Sequence, residues 1–329
     1  MKKISCYIDD IRIETPEGVT ILELARANGI YIPTLCYHPD ISPSGNCRLC
    51  IVEIEGRRGQ HISCMTRVED GMRIRTDSQE IAEIRRVTLE LIHANHTQDC
   101  TSCSSNNNCQ LQEVTAYIGV NEERLNKLRR TRPLLKIDDS NPFFNLDHNK
   151  CITCGICIRT CDEVAGVNAL DYSFRGFATV VSTFGDKPIK ESVCESCGEC
   201  VVRCPVGALY VKETVIPARE VKTVCAYCGV GCNIYLGVRD NKIVSVRGDR
   251  ESIVNKGRLC VKGRFGYSFV DHPERLTSPL IKSNGSFKEI SWDEALDIIA
   301  DKFSKNQGRK FAALSSAKAT NEDNYIIQK

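Results

Sequence analysis

The 329-residue chain has no apolar run longer than a few residues, far short of the ~20 that a membrane-spanning helix needs. Its opening stretch, MKKISCYIDDIRIETPEG, places acids where a secretory signal carries its apolar core, so a cytoplasmic protein is expected. A surplus of one charge is missing too: Lys+Arg number 44 and Asp+Glu 42, which gives no electrostatic footprint for nucleic acid. No P-loop pattern occurs. Gly229-Val230-Gly231 is followed by Cys232 and Asn233, with Ile234 where a dinucleotide fingerprint needs its third glycine. Nucleotide chemistry is therefore expected on a partner. Tryptophan is reduced to Trp292, which opens a helical pattern and reads as a core residue.

What is abundant is cysteine, with 20 residues. In a reducing cytoplasm these are not disulfides, and such numbers point to metal ligation. They fall into groups. Cys36, Cys47, Cys50 and Cys64 come first, followed by His96 with Cys100, Cys103 and Cys109. Cys151, Cys154, Cys157 and Cys161 repeat 43 residues later as Cys194, Cys197, Cys200 and Cys204. Cys225, Cys228, Cys232 and Cys260 close the series, leaving only Cys6 over.

The repeated quartets carry the most specific spacing. In a C-x2-C-x2-C-x3-C-P run, three thiolates wrap one corner of a 4Fe-4S cube and the fourth ligates the other cube. Cys151, Cys154, Cys157 and Cys204 are then expected on one cluster, and Cys194, Cys197, Cys200 and Cys161 on the other. The second run has its proline, Pro205, whereas the first has Asp162. Zinc, the competing metal, favours two separated C-x2-C pairs.

The first quartet suits a 2Fe-2S cluster in a small β-grasp-like ferredoxin. SCYIDDIRI reads as a hairpin, TILELARAN as an amphipathic helix closed by Gly29, and RLCIVEIE and HISCMT as strands. Gly45 beside Cys47 lets backbone amides approach the sulfides. The His96 group follows a predicted helix, SQEIAEIRRVTLELIHANH, and precedes a second, QLQEVTAYIGV. An imidazole in place of a thiolate makes such a site less negative and raises its potential. His93 competes with His96 for this role, and zinc competes with a 4Fe-4S cluster. The segment 121–136 reads as a basic helix connecting cluster domains.

Taken in order, these groups resemble the N-terminal region of three enzyme groups: the large iron–sulfur subunit of complex I, NADH-linked iron-only hydrogenases, and cytosolic formate dehydrogenases. Residues 1–215 fit all three alike. VCAYCGVGC, RLCVKGRFGYSF, DHPERLTSPLI, SWDEALDIIADKF and SSAKATNEDNYIIQK then resemble the start of the molybdopterin oxidoreductase fold. CxYCGVGC with CVKGRFG looks most like a Mo- or W-dependent formate dehydrogenase catalytic subunit.

The resemblance implies an α+β multi-domain chain. A 2Fe-2S ferredoxin would cover 1–77, a helical His-ligated 4Fe-4S domain 78–118 and a basic connector 119–141. A bacterial-type two-cluster ferredoxin would cover 142–215, and an incomplete first molybdopterin lobe 219–329. The implied cofactors are one 2Fe-2S and four 4Fe-4S clusters, with a Mo- or W-bis-pterin guanine dinucleotide in the full-length protein. His96 is favoured over His93, and Cys225, Cys228, Cys232 and Cys260 would hold the cluster beside the pterin. Lys262 would bind or relay electrons to the pterin; its bland alternative is an exposed member of the basic run Lys256, Arg258, Lys262 and Arg264. No catalytic residue is expected before Lys329. The implied partners are a flavin- and NAD(P)H-binding subunit and a small 2Fe-2S subunit, with ferredoxin or a hydrogenase as further candidates. The implied function is electron transfer during formate oxidation or CO2 reduction; the alternative is a non-catalytic wire in a hydrogenase-associated or NADH-dehydrogenase complex. With nineteen cysteines as thiolates, the formal +2 of the bare chain becomes a clearly acidic holo-protein.

Overall fold

Ile4, Cys6 and Ile8 alternate inward along β1 (Lys3–Ile8), the period-2 pattern of a half-buried strand. Asp9 and Asp10 both take positive φ, 48° and 66°, which turns the chain into β2 (Ile11–Pro16) by a tight two-residue link. Thr20 starts α1 (Ile21–Ala27) with a capping box, its side chain accepting from the Glu23 amide while Glu23 accepts from the Thr20 amide. Gly29, at φ 72°, follows the helix end. β3 (Ile51–Ile54), β4 (Gln60–Ile62) and β5 (Arg73–Arg75) complete a sheet of order β2-β1-β5-β3-β4, in which only β1 and β5 run parallel. Ile21, Leu22, Leu24 and Ala25 of α1 pack on its inner face together with Cys6. The odd cysteine is thus core, and burial pushes its thiol pKa up.

The computed structural model describes residues 3–97, 99–129, 133–306, 310, 312–317 and 319–329. It divides into two units, Met1–Glu213 and Thr214–Lys329.

In the first unit, Ser78 caps α2 (Gln79–Ala94) by accepting from the Ile81 amide. α3 (Gln110–Ile118) starts directly after Cys109. α4 (Glu122–Leu128) is shorter than the expected helix over 121–136. Arg129 is already extended, at φ −62° and ψ 133°; α4 buries only Leu125, and Pro133 cannot continue a helix. The Arg130–Arg132 part of that connector lies outside the described residues.

Next come β6 (Phe144–Leu146), α5 (Ile156–Arg159), the hairpin β7 (Asp171–Ser173) and β8 (Val180–Ser182), α6 (Glu199–Arg203), and β9 (Leu209–Val211), which pairs back on β6. Phe144, Leu146, Leu170, Val181, Ile189 and Leu209 form their core.

The second unit opens with a three-stranded antiparallel sheet, β10 (Arg219–Val224), β11 (Asn233–Arg239) and β12 (Lys242–Gly248). Ile234, Val246 and Leu259 are its buried core. α7 (Val261–Phe265) follows, then a hairpin of β13 (Leu280–Ser283) and β14 (Ser286–Glu289), α8 (Trp292–Ser304) and α9 (Asn321–Gln328). Trp292, expected in the core, is 68% exposed. It shares one face of α8 with Leu296 and Ile299, at four- and three-residue spacing, and that face is exposed among the described residues. Among those residues no helix is long and apolar enough to cross a membrane.

Candidate metal centres

The first quartet is assembled around the strands. Cys36 and Cys47 lie in the segment between α1 and β3, Cys50 immediately precedes β3, and Cys64 follows β4; all four are buried. HISCMT therefore gives strand only as far as Ile62. Its last residues turn, because the Ser63 amide bonds to the Cys50 carbonyl at 3.0 Å and the Met65 amide to that of Ile62, which brings Cys64 back to Cys50. Backbone amides also approach sulfur: the Cys47 N–H lies 3.4 Å from Cys36 Sγ and the Leu35 N–H 3.4 Å from Cys47 Sγ. Gly45 sits at φ 63°, and a Cβ there would stand 2.9 Å from Met65 Sδ. The thiols touch in two pairs. Hydrogen bonding from Cys47 holds Cys36 well below the ordinary thiol pKa, and bonding from Cys64 does the same for Cys50.

Arg85 of α2 supplies a buried cation beside this site. Its Nε donates to the Leu49 carbonyl at 3.0 Å and its Nη2 to the Ile51 carbonyl at 2.8 Å, on either side of Cys50. Sequence reasoning passed over it, although an arginine between Ile81 and Leu89 at four-residue spacing, on the buried face of a helix, was the available signal.

His93, His96, Cys100, Cys103 and Cys109 line one cavity of about 680 Å3. Hydrogen bonding separates the two histidines. His96 Nδ1 lies 3.1 Å from the Lys150 carbonyl oxygen. A carbonyl only accepts, so Nδ1 carries the proton and the Nε2 lone pair is left for a metal, the usual support of a ligating histidine. Burial, with His93 nearby, pushes His96 down to about 4, so the ring is neutral. His93 Nε2 instead contacts Thr115 Oγ1 at 2.7 Å, while that hydroxyl donates to the Leu111 carbonyl at 2.6 Å; Nε2 of His93 therefore carries a proton.

The two repeats share one local conformation. Gly155 and Gly198 take left-handed φ of 70° and 75° at the starts of α5 and α6. The Thr153 amide lies 3.3 Å from Cys151 Sγ and the Ser196 amide 3.4 Å from Cys194 Sγ. They diverge at Asp162. Pro205 stops α6 before Cys204, which is extended, whereas the first run continues through Cys161 as a π-helical turn over Thr160–Val164. The grouping of thiols is crossed. Cys151, Cys154, Cys157 and Cys204 line one small cavity, and Cys161, Cys194, Cys197 and Cys200 line another. Burial pushes Cys154, Cys157 and Cys200 far up, so these thiols would ionise only against metal.

In the second unit the Cys225 amide donates to the Cys232 carbonyl at 2.8 Å, and Cys232 neighbours Cys225, Cys228 and Cys260. Cys260 precedes the first turn of α7, and a Cβ on Gly263 would lie 3.7 Å from Cys225 Sγ. Lys262 is exposed on that turn, Lys256 and Arg258 are exposed in the segment before α7, and Arg264 is buried. Among the described residues, no three His, Cys, Asp or Glu side chains converge on one ion-sized point.

Comparison with known proteins finds five family models along the chain. The 2Fe-2S iron-sulfur cluster binding domain family matches residues 1–79, and the NADH-ubiquinone oxidoreductase-G iron-sulfur binding region 85–124. The NADH-quinone oxidoreductase subunit 3 ferredoxin-like domain matches 141–210. The molybdopterin oxidoreductase Fe4S4 domain matches 218–272 and the molybdopterin oxidoreductase family 275–329. The chain is 37% identical to a subunit of NADH-quinone oxidoreductase from Rhizobium meliloti, over 99% of its own length and 38% of that protein. It is 33% identical to a protein of Bacillus subtilis named "Putative formate dehydrogenase YrhE", over 100% of its own length and 38% of that one. The chain thus spans about two fifths of these curated relatives. A solved chain of an NAD+-reducing NiFe-hydrogenase in the H2-reduced state is similar at a TM-score of 0.58 and 32% identity, covering 65% of this chain and 91% of that one.

Proposed function

Because the chain is a fragment of the NADH-quinone oxidoreductase G / molybdopterin oxidoreductase family, with iron–sulfur domains, we propose that it conducts electrons for a formate dehydrogenase. The observation that carries the reading is the contiguity of the thiol groups in the first unit. Cys36, Cys47, Cys109, Cys151, Cys154 and Cys204 pack into one cluster, and Cys151, Cys157, Cys194, Cys200 and Cys204 into the next. The Cys151, Cys154, Cys157 and Cys204 site is therefore the hub. It adjoins the β-grasp 2Fe-2S site, the His96, Cys100, Cys103 and Cys109 site, and the Cys194, Cys197, Cys200 and Cys161 site.

The bound clusters would each accept and release one electron, while the protein fixes their separation and tunes each potential through ligand, burial and sulfur hydrogen bonds. The Cys225, Cys228, Cys232 and Cys260 site would stand next to a Mo- or W-pterin, with Lys262 as its cationic neighbour. A flavin- and NAD(P)H-binding partner would take electrons from the 2Fe-2S end. The second reading is a non-catalytic wire, favoured by the hydrogenase chain that this one covers almost completely.

One preparation of the complete protein with its partners distinguishes them. Iron and sulfide analysis should give about 18 irons per chain, two from the binuclear site and four from each cubane. Pterin, Mo or W, and formate-dependent viologen reduction are expected. Full iron without pterin would overturn the enzyme reading and leave the wire; mostly zinc would overturn both.

A further inference from the structure

Arg159 lies at the end of α5, two residues past Cys157, yet its guanidinium reaches across to the first quartet. Nη2 donates to the Cys36 carbonyl at 2.7 Å and lies 3.4 Å from that of Cys154, and Nη1 donates to the Ser42 carbonyl. Its Nε is buried and has no hydrogen-bond partner among the described residues. The side chain is half-buried, and a polar atom out of water is costly unless hydrogen-bonded; here the protein supplies carbonyls rather than a carboxylate. The remaining donor needs an acceptor, and cluster sulfur is the acceptor class that these two cysteine loops bring to the place.

We infer that Arg159 is a positioning residue between the Cys36, Cys47, Cys50 and Cys64 site and the Cys151, Cys154, Cys157 and Cys204 site, and that its charge sets the reduction potential of both. The inference rests on the iron–sulfur reading of these two sites. A fixed positive charge stabilises the more negative, reduced form of each neighbour. Transfer between them moves one electron out of one site and into the other with no bond made or broken. A single guanidinium shared by both loops raises the two potentials together and keeps the step between them nearly level.

Arg159 does not hold the loop alone. Arg203 Nη2 donates to Asp40 at 2.7 Å, the Ser42 amide to Glu163 at 2.7 Å, and Asn46 Nδ2 to Tyr172 Oη at 3.3 Å, while Tyr172 Oη donates to the Thr153 carbonyl at 2.9 Å. Arg159→Met should therefore leave the loop seated, and Tyr172→Phe removes a neutral tie between the same loops without touching the charge.

The test is an EPR-monitored redox titration of the complete, cluster-loaded chain. Arg159→Met is expected to lower both potentials by about tenfold in each one-electron equilibrium, 59 mV. The Cys194 and His96 sites should stay in place. Arg159→Lys should recover most of the shift, and Tyr172→Phe should shift neither potential. Unchanged potentials in Arg159→Met, or an equal shift at every centre, would overturn the inference. A wild-type chain with no binuclear signal would instead overturn the ligand reading beneath it.

Discussion

A Cβ placed on Gly207 would collide with Sγ of Cys103. Glycine here is a matter of space: the turn after Cys204 and Pro205 passes so close to the His96 site that the Cys103 sulfur occupies the place of a side chain. Gly207→Ala must push that sulfur away, at an overpacking cost of about 1–3 kcal/mol. The expected outcome is selective loss of about four irons per chain, with the other centres retained. Retention of the full iron complement at wild-type melting temperature would show that Cys103 is not held at this spot.

The histidine assignment makes a directional prediction. His96→Cys replaces a neutral ligand by a thiolate, so the cluster becomes more negative and its midpoint potential should fall. His93→Gln should leave that potential unchanged and cost about 1 kcal/mol through the lost contact with Thr115. Potentiometric EPR on the two variants reads both effects. The reverse pattern would move the ligand to His93.

Much of this was legible because cysteine spacing encodes local wrapping, and wrapping is local. Gly155 and Gly198 sit at matching places in the repeats and take matching left-handed conformations. The Asp162 for Pro205 exchange was visible too, but its consequence, a π-helical turn through Cys161, depends on a helix having nothing to stop it. Long-range features were not legible. Arg159 meets the Cys36 carbonyl across 123 residues, and no periodicity in its own segment announces that. Trp292 failed for another reason: an amphipathic pattern says that a face is apolar, not that a described residue covers it.

Glu90 ties α4 to α2. Its buried carboxylate accepts from the Asn121 amide at 2.7 Å and from both Nε and Nη2 of Arg124. Desolvation alone would raise its pKa, but the Arg124 guanidinium and the Asn121 amide outweigh it and hold the carboxyl below its usual range. The unfolded state then binds the proton first. Stability from this group is fully present above about pH 4.3 and is lost as pH falls through the depressed folded value. Glu90→Gln should cost about 1–3 kcal/mol at neutral pH and flatten the acid limb of the melting temperature against pH. An unchanged acid limb would assign the α2–α4 contact to Leu125 packing instead.

Crossed ligation is tested by removing the fourth cysteine of each run. Cys161→Ser should abolish the cluster of Cys194, Cys197 and Cys200, and Cys204→Ser that of Cys151, Cys154 and Cys157. Both variants lose about four irons, so iron content cannot separate crossed from uncrossed assignments. Proximity can. In the crossed assignment Cys204 joins Cys154 at the hub, and these two cysteines pack with Cys109 and Cys36. Cys204→Ser should therefore remove the magnetic interaction that broadens the reduced binuclear signal, whereas Cys161→Ser should leave it. If the runs ligated in sequence order, the broadening would vanish in Cys161→Ser and persist in Cys204→Ser, because the hub would then have lost its ligand at position 161.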